Sequence, residues 1–401
     1  MSGEVKAHGL EGNLVEPDWP ALKLDELDGL LRRFPQAQKA ERILSFSPRP
    51  FSAASVVETP LGNVFVKRHH RAVRDKDSLH EEHRWLDFLS RRDTLVKKPL
   101  EDRSGETAIE IGEWTYEVHP VGDGLDLYET EQSWTPFLSV GHARHAGRAL
   151  ARLHAASAGY DAPARKAATL VTSFEVFSRD DPWPELARYA EERPTLHGYL
   201  AKRDWLLETQ ETFLPFHNHL RKFLPVFQPL WTHNDFHGSN LFWSNSSSAA
   251  EVTDIIDVGL ADRTNALHDI ATAIERNGVE WLQMHDASRD PLHLEQIDAL
   301  LSGYEEMHPL SRDEAEAVVA LLPLVHAEFA LSEADYFLRV LKSQEKADLA
   351  YIGYFLGHAR WFNSGTGKQL LSHLQSWAES HPDIAESNPM ISEELRNNVS
   401  P

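Results

Sequence analysis

His233-Asn234-Asp235-Phe236-His237-Gly238-Ser239-Asn240 and, a short way on, Ile255-Ile256-Asp257-Val258-Gly259 are the most informative residues of this 401-residue chain. The first segment sets a carboxylate, Asp235, among turn-forming residues and follows it with the amide of Asn240. The second places another carboxylate, Asp257, at the end of the strand-like run from Val252 to Ile256. An acid beside a substrate hydroxyl, with one neutral and one charged oxygen for a metal, is the set that phosphoryl transfer from a nucleotide–magnesium complex needs.

Outward from these loops the pattern changes twice. Leu241-Phe242 and Val252 to Ile256 read as a short strand pair, joined by the polar loop Asn245-Ser246-Ser247-Ser248. On either side the chain is helical: His142 to Ala156, Leu196 to Phe223 and Arg312 to Phe362, with Pro215 and Pro323 expected to kink or split the two long stretches. Upstream of Val121-Gly122-Asp123-Gly124 the signals are mostly strand. Arg42 to Phe46 and Ala54 to Thr59 lead through the turn Pro60-Leu61-Gly62-Asn63 into Val64 to Lys67. A helix over Ser78 to Leu89 follows, then a hairpin of Thr107 to Ile111 with Trp114 to His119. The expectation is an α+β chain in three parts. Residues 1–40 form an N-terminal extension with one amphipathic stretch from Leu22 to Phe34, 41–119 a small antiparallel β lobe, and 120–401 a large, mainly helical lobe carrying the chemistry.

Composition narrows the function classes. The formal charge of −22 argues against nucleic acid as a partner, since a binding face must replace the counterions that nucleic acid releases. It suits metal cations and a cationic small substrate. Zero cysteines exclude disulfides, thiolate metal sites and cysteine nucleophiles. No apolar run approaches the ~18 residues of a membrane span, and the opening residues lack the order of a secretion signal. The expected location is the cytoplasm, with no membrane partner.

The order Lys67, Glu82, His233-x-Asp235-x4-Asn240, Ile255-Ile256-Asp257 resembles the aminoglycoside phosphotransferase/choline kinase family, over residues 42–380. The segment Gly147-Arg148-Ala149-Leu150-Ala151-Arg152-Leu153-His154-Ala155 also looks like that family's helix before the catalytic region. The chain departs from the family pattern at Asn234, where glycine is usual, and at Gly238-Ser239, where Pro-Gly is common. The resemblance implies a protein-kinase-like bilobal fold and transfer of the γ-phosphate of ATP, with GTP as the alternative, to a hydroxyl of a small molecule with Mg2+. Asp235 would be the catalytic base or orienting acid, and Asn240 and Asp257 the metal ligands. Lys67 would hold the α- and β-phosphates, paired with Glu82 or, one residue earlier, Glu81. His237 stands where protein kinases carry a lysine facing the moving phosphate; it would donate to that phosphate or serve as an ordinary loop histidine. His233 would pack beneath the metal loop and bond its backbone. Asp269, in His268-Asp269-Ile270-Ala271, would brace the catalytic loop or cap its own helix.

Two regions depend on fewer landmarks. The stretch Ser47 to Ser55 that should cover the phosphates contains no glycine, so Ser52 and Ser55 are the expected substitutes. The purine is expected at backbone groups near Glu117, Val118 and His119. Glu328, Asp335, Tyr336, Tyr351, Tyr354 and Trp361 have the chemistry of an acceptor pocket, but their helical spacing fits a core equally well. Two rival functions follow from the same residues. The glycine-free loop and Asn234 would suit a nucleotide-binding pseudokinase with a regulatory role. His233-x-Asp235-x-His237 would suit the ligand set of a metal-dependent hydrolase.

Overall fold

The computed structural model describes residues 17–47, 50–93, 95–129, 131, 133–281 and 290–382. A short helix, α1 (Leu24–Leu31), leads into three antiparallel strands, β1 (Arg42–Phe46), β2 (Ala53–Thr59) and β3 (Gly62–His70). The β2–β3 turn closes with Thr59 opposite Gly62, whose φ of +116° is a conformation that glycine adopts without Cβ strain. Next comes α2 (Lys76–Ser90), capped by Asp75, which accepts from the Ser78 amide at 2.9 Å. The hairpin β4 (Ala108–Ile111) and β5 (Trp114–Pro120) completes a five-stranded sheet in the order β1-β2-β3-β5-β4.

Alternation along these strands gives the sheet two different faces. Val57, Val64, Val66, Tyr116 and Val118 pack against Leu27, Leu30, Leu31 and Phe34 from α1 and the turn after it, forming a separate apolar core. The polar edge is tied as well: Glu26 accepts from Arg68 at 2.7 Å and from the Tyr116 hydroxyl at 2.6 Å. The stretch expected to be an extension therefore covers one face of the sheet. Its amphipathic stripe needed an apolar partner, and the strands supply it. Just before α1, the Asp18 carboxylate accepts from Tyr336 at 2.8 Å and Lys346 at 2.7 Å, while the Trp19 indole donates to the Phe51 carbonyl at 3.1 Å. The chain's early residues thus fasten the β1–β2 loop to helices near the far end of the sequence.

The rest is mainly helical. It contains α3 (Val140–Ser157), α4 (Trp183–Glu191), α5 (Pro194–Leu200) and α6 (Trp205–Leu220), followed by β6 (Pro229–Thr232), β7 (Leu241–Trp243), β8 (Val252–Ile255) and β9 (Asp262–Asn265). Then come α7 (Ala266–Gly278), α8 (Leu294–Glu305), α9 (Arg312–Leu321), α10 (Ala327–Arg339), α11 (Gln344–Asp348), α12 (His358–Trp361) and α13 (Gly365–Glu379). The first long helical stretch breaks between α5 and α6, at residues 201–204, whereas Pro215 lies inside α6. The second ends its first helix at Leu321, just before Pro323, as the steric demand of a proline on its predecessor favours. No described helix is long and apolar enough to cross a membrane.

Two small ladders set up the chemistry. β7 pairs with β8, Leu241 opposite Ile255, and β6 pairs with β9, Thr232 opposite Asp262. The second ladder is short, and its β9 strand, Asp262-Arg263-Thr264-Asn265, carries no apolar alternation to announce it in the sequence. Together they bring the 233–240 loop and the 256–261 loop side by side, joined by a bond from the Ile256 amide to the Asn240 carbonyl at 2.9 Å.

Candidate active site

The 233–240 loop is held from below by one buried carboxylate. Asp269, in the first turn of α7, accepts from the His233 amide at 2.9 Å, the Asn234 amide at 2.8 Å and His154 Nε2 at 3.0 Å. Burial opposes its charge, but His154, His233 and these bonds keep its pKa below the ordinary carboxylate value. The helix cap is a different residue, Asn265, which accepts from the His268 amide at 2.9 Å. His233 turns its Nε2 to the Ile256 carbonyl at 3.0 Å and receives the Asp235 amide on Nδ1 at 3.3 Å. It therefore spans the two loops. The set His233-x-Asp235-x-His237 does not converge as a ligand cluster among the described residues.

Asn234 sits at φ +59°, in the left-handed region. Asparagine is one of the few residues other than glycine to adopt it readily, which explains how this chain departs from a glycine pattern there. Its amide oxygen also accepts from the Thr232 and Thr264 hydroxyls, each at 3.0 Å, gripping the β6–β9 ladder. Asp257 is left-handed too, at φ +54°, a strain compatible with a position fixed by its surroundings.

Asp235 is bracketed by Arg276 and His237. Its Oδ1 accepts from Arg276 Nε at 3.1 Å, and its Oδ2 lies 3.5 Å from His237 Nε2. Burial works against ionisation, but His237 and Arg276 outweigh it and hold the carboxyl well below its usual range. Asn240 donates its amide nitrogen to the Asp235 carbonyl at 2.9 Å, fixing the end of the loop to its start. The Ser239 hydroxyl lies 2.9 Å from His237 Nδ1.

Arg276 is the residue the sequence reading missed. It is buried in α7, bonds Glu275 at 2.8 Å, lies 3.1 Å from His326 Nδ1 and has its guanidinium carbon 4.4 Å from the Trp134 ring centre. A signal was present: Asp269 and Arg276 are two helical turns apart on α7 and so share the face beneath the 233–240 loop. Four of the acceptor-pocket candidates make internal bonds. Glu328 accepts from the backbone amides of Glu175, Val176 and Phe177; Asp335 takes Arg339; Tyr351 reaches Glu208; Tyr336 reaches Asp18.

On the other side of the 256–261 loop, a cleft of about 360 Å³ opens between the sheet and the helical part. Lys67, Glu82, Glu117, His119, Asn240 and Asp257 all line it. Lys67 Nζ bonds Asp257 Oδ1 at 2.7 Å. Burial would lower the Lys67 pKa, but Asp257 and Glu117 raise it overall. The expected bond from Lys67 to Glu82 is not the one formed. Glu82 Oε1 is taken by Arg74 Nε at 3.1 Å and by Arg165, while Glu81 accepts from the Lys166 amide at 3.3 Å. The guanidinium groups also bond the Gly259 carbonyl, at 2.8 Å from Arg74 and 2.9 Å from Arg165. A buried carboxylate is neutralised by its closest cations, and no sequence spacing announced these two. The result couples α2 to the loop of Asp257.

Two further expectations are corrected. Ser55 lies on the α1 side of β2, because Ala54 and Val56 occupy the cleft-facing parity opposite Lys67 and Phe65. Ser52 is buried just before β2, and the cleft is lined from this hairpin by Ser45, Phe46 and Ser47 instead. Of the backbone expected to meet the purine, Glu117 pairs with both Lys67 and Ala108, and the Val118 carbonyl accepts from the Leu100 amide at 2.7 Å, while His119 pairs with Phe65 on one edge. The cleft is lined here by Glu117, His119 and Pro120 of β5 and by Val121 and Gly122 just beyond it. The side chain of Glu117 accepts from three imidazoles, His69 and His83 at 2.9 Å and His119 at 2.8 Å.

Comparison with known proteins agrees with this architecture. No curated protein sequence matches the chain. Solved structures share the fold at low identity. A microcompartment-associated aminopropanol kinase is 17% identical, with a TM-score of 0.55 over 86% of this chain and 99% of that one. An amicoumacin kinase in complex with AMP-PNP and Ca2+ is 14% identical, with a TM-score of 0.53 over 85% and 92%. A spectinomycin phosphotransferase in complex with ADP is 11% identical, with a TM-score of 0.50 over 90% and 99%. The small antiparallel sheet over a larger helical part is the kinase-like fold of these enzymes. A model of the phosphotransferase enzyme family matches residues 51–310, nearly two-thirds of the sequence, and the chain belongs to that family.

Proposed function

We propose that this member of the family transfers the γ-phosphate of ATP, bound with Mg2+, to a hydroxyl group of a small molecule. The observation that carries this reading is the joining of two loops. Asn240 and Asp257 line one cleft, where Lys67 bonds Asp257, and Asn240 is tied to the Asp235 carbonyl while the Asp235 carboxylate takes Arg276. The donor set fits Mg2+: an amide oxygen on Asn240, whose nitrogen is already used by the loop, and a carboxylate on Asp257, both hard oxygen ligands. Bound Mg2+ would neutralise charge on the transferring phosphate.

The chain's own residues supply the rest. Lys67, half-buried and with its pKa raised by Asp257 and Glu117, is suited to the inner phosphates once released from Asp257. Asp235 is held ionised, so it can accept a hydrogen bond from the acceptor hydroxyl and orient its oxygen for in-line attack. Arg276 fixes the direction of that carboxylate, and Asp269 fixes the loop that carries it. His237, on the other carboxylate oxygen, is placed to steady Asp235 or to donate to the developing charge. A cationic acceptor agrees with the acidic chain. ATP is the favoured donor, with GTP as the alternative.

Nucleotide turnover against a panel of small hydroxyl compounds tests the reading. We expect Asp235→Ala to lower turnover by about a thousandfold or more, in line with loss of a general base together with its positioning, while nucleotide binding persists. Near-normal turnover in that variant would sink the assignment. Binding without turnover across the panel would favour a regulatory pseudokinase.

A further inference from the structure

We infer that His83, Glu117 and His119 form a binding site for a transition-metal cation of the Zn2+ class, separate from the oxygen-only site at Asn240 and Asp257. Among the described residues this is the one group of three or more histidine and acidic side chains able to converge on an ion, with their ligand atoms within 4.8 Å of one another. His83 comes from α2, and Glu117 and His119 from the cleft-facing parity of β5. Their contacts share an atom: His83 Nε2 and His119 Nε2 lie 2.9 and 2.8 Å from the same oxygen, Oε2 of Glu117.

Three features favour an ion. Two imidazoles and a carboxylate, with no thiolate in the chain, make a mixed nitrogen and oxygen donor set of the kind that binds Zn2+. The far nitrogen of His83 lies 2.8 Å from the Thr107 hydroxyl, an outer partner that can fix the ring with Nε2 inward, as metal-ligating histidines require. His69 Nε2 holds the other carboxylate oxygen, Oε1, at 2.9 Å, which steadies Glu117 without entering the triad. Bonds of about 2.0 Å in tetrahedral geometry separate ligand atoms by about 3.3 Å, so each of the two contacts between Glu117 and an imidazole needs to open by only about half an ångström. His83 and Glu117 are buried, whereas the His119 side chain is 21% exposed and borders the cleft, giving a path for the ion and for a completing water. Lys67, opposite Glu117 on the neighbouring strand, is already engaged by Asp257. The ion would pin α2 to β5 beside the cleft. When the imidazoles bind through Nε2, the proton moves to Nδ1, where His83 can donate it to Thr107.

The test uses full-length, metal-free protein in excess Mg2+, so that the oxygen site is satisfied. On addition of Co2+ we expect one equivalent per chain to give the intense visible bands of a four- or five-coordinate ion, and Zn2+ to displace it. His119→Gln, at the exposed edge, should weaken Zn2+ binding by more than about a hundredfold, beyond the usual cost of losing an outer partner. Asp257→Asn should leave the Co2+ spectrum intact. If the wild-type spectrum stays that of hydrated Co2+, or if His119→Gln binds Zn2+ as tightly as wild type, the inference is overturned and the triad is a hydrogen-bonded brace. Should His119→Gln fail to fold, the wild-type spectrum still decides.

Discussion

The two faces of the five-stranded sheet are built from the same strands and do opposite work. On the α1 side stand Val57, Val64, Val66, Tyr116 and Val118, packed on leucines; on the cleft side stand Phe65, Lys67, Glu117 and His119. The first face excludes water, and each fully buried aliphatic side chain there contributes about 1.5–3 kcal/mol. The second carries charges that cost free energy to bury and are kept by pairing: Lys67 with Asp257, and Glu117 with its imidazoles. A β-strand with period two can thus carry stability on alternate positions and chemistry on those between. Substitutions on the two faces should fail in different assays.

The largest expected effect is on the cleft face. Lys67→Ala should lower kcat/KM by about a hundredfold to a thousandfold, the range seen when a preorganised charge partner is removed, with little change in melting temperature. A large drop in Tm at near-normal activity would erase the distinction between faces. Glu82→Ala comes next, since it strands Arg74 and Arg165 in a buried setting; denaturant unfolding should show a loss of about 3–5 kcal/mol. Activity should fall with it, because the same guanidiniums hold the Gly259 carbonyl beside Asp257. On the α1 face, Leu30→Ala should cost about 2–5 kcal/mol through a cavity, while the folded fraction keeps its kcat/KM. A hundredfold fall in kcat/KM there would show that α1 shapes the site.

The smallest effect lies away from both faces. Burial pushes the Glu275 carboxyl up to about 7, against the pull of Arg276. The folded state therefore holds a proton that the unfolded chain has released between about pH 4.5 and pH 7, so this group's contribution to stability falls as pH rises through that window. The slope is at most about 1.4 kcal/mol per pH unit. Glu275→Gln should flatten it; an unchanged Tm–pH profile would place the effect in other groups.

Much of this was readable in the sequence, and the gaps have physical causes. The strands and the α2 helix lie within a few residues of their sequence positions because turn residues and apolar periods are local signals. Lys67, Asn240 and Asp257 were named from their order along the chain, and all three line one cleft. Ser55 was misplaced because parity, not proximity, decides which face a strand residue serves. Glu82 was given the wrong bonding partner because Arg74 and Arg165 approach it only through tertiary folding. Arg276 was missed as one charge in an amphipathic helix, and the β6–β9 ladder because its strands are four residues each and β9 is wholly polar.

The fastening of Asp18 to Tyr336 and Lys346 joins positions 318 and 328 residues apart. On a ribosome the N-terminal residues emerge first, so the sheet and α1 can settle while Asp18 has no partner to meet. Trp19 and the β1–β2 loop gain their anchor on the helical side only when α10 and α11 have left the exit tunnel. The mouth of the cleft is therefore among the last parts of the molecule to take its final shape, after the loops of Asp235 and Asp257 have been synthesised. A nascent chain would own its chemistry before it owns the clasp.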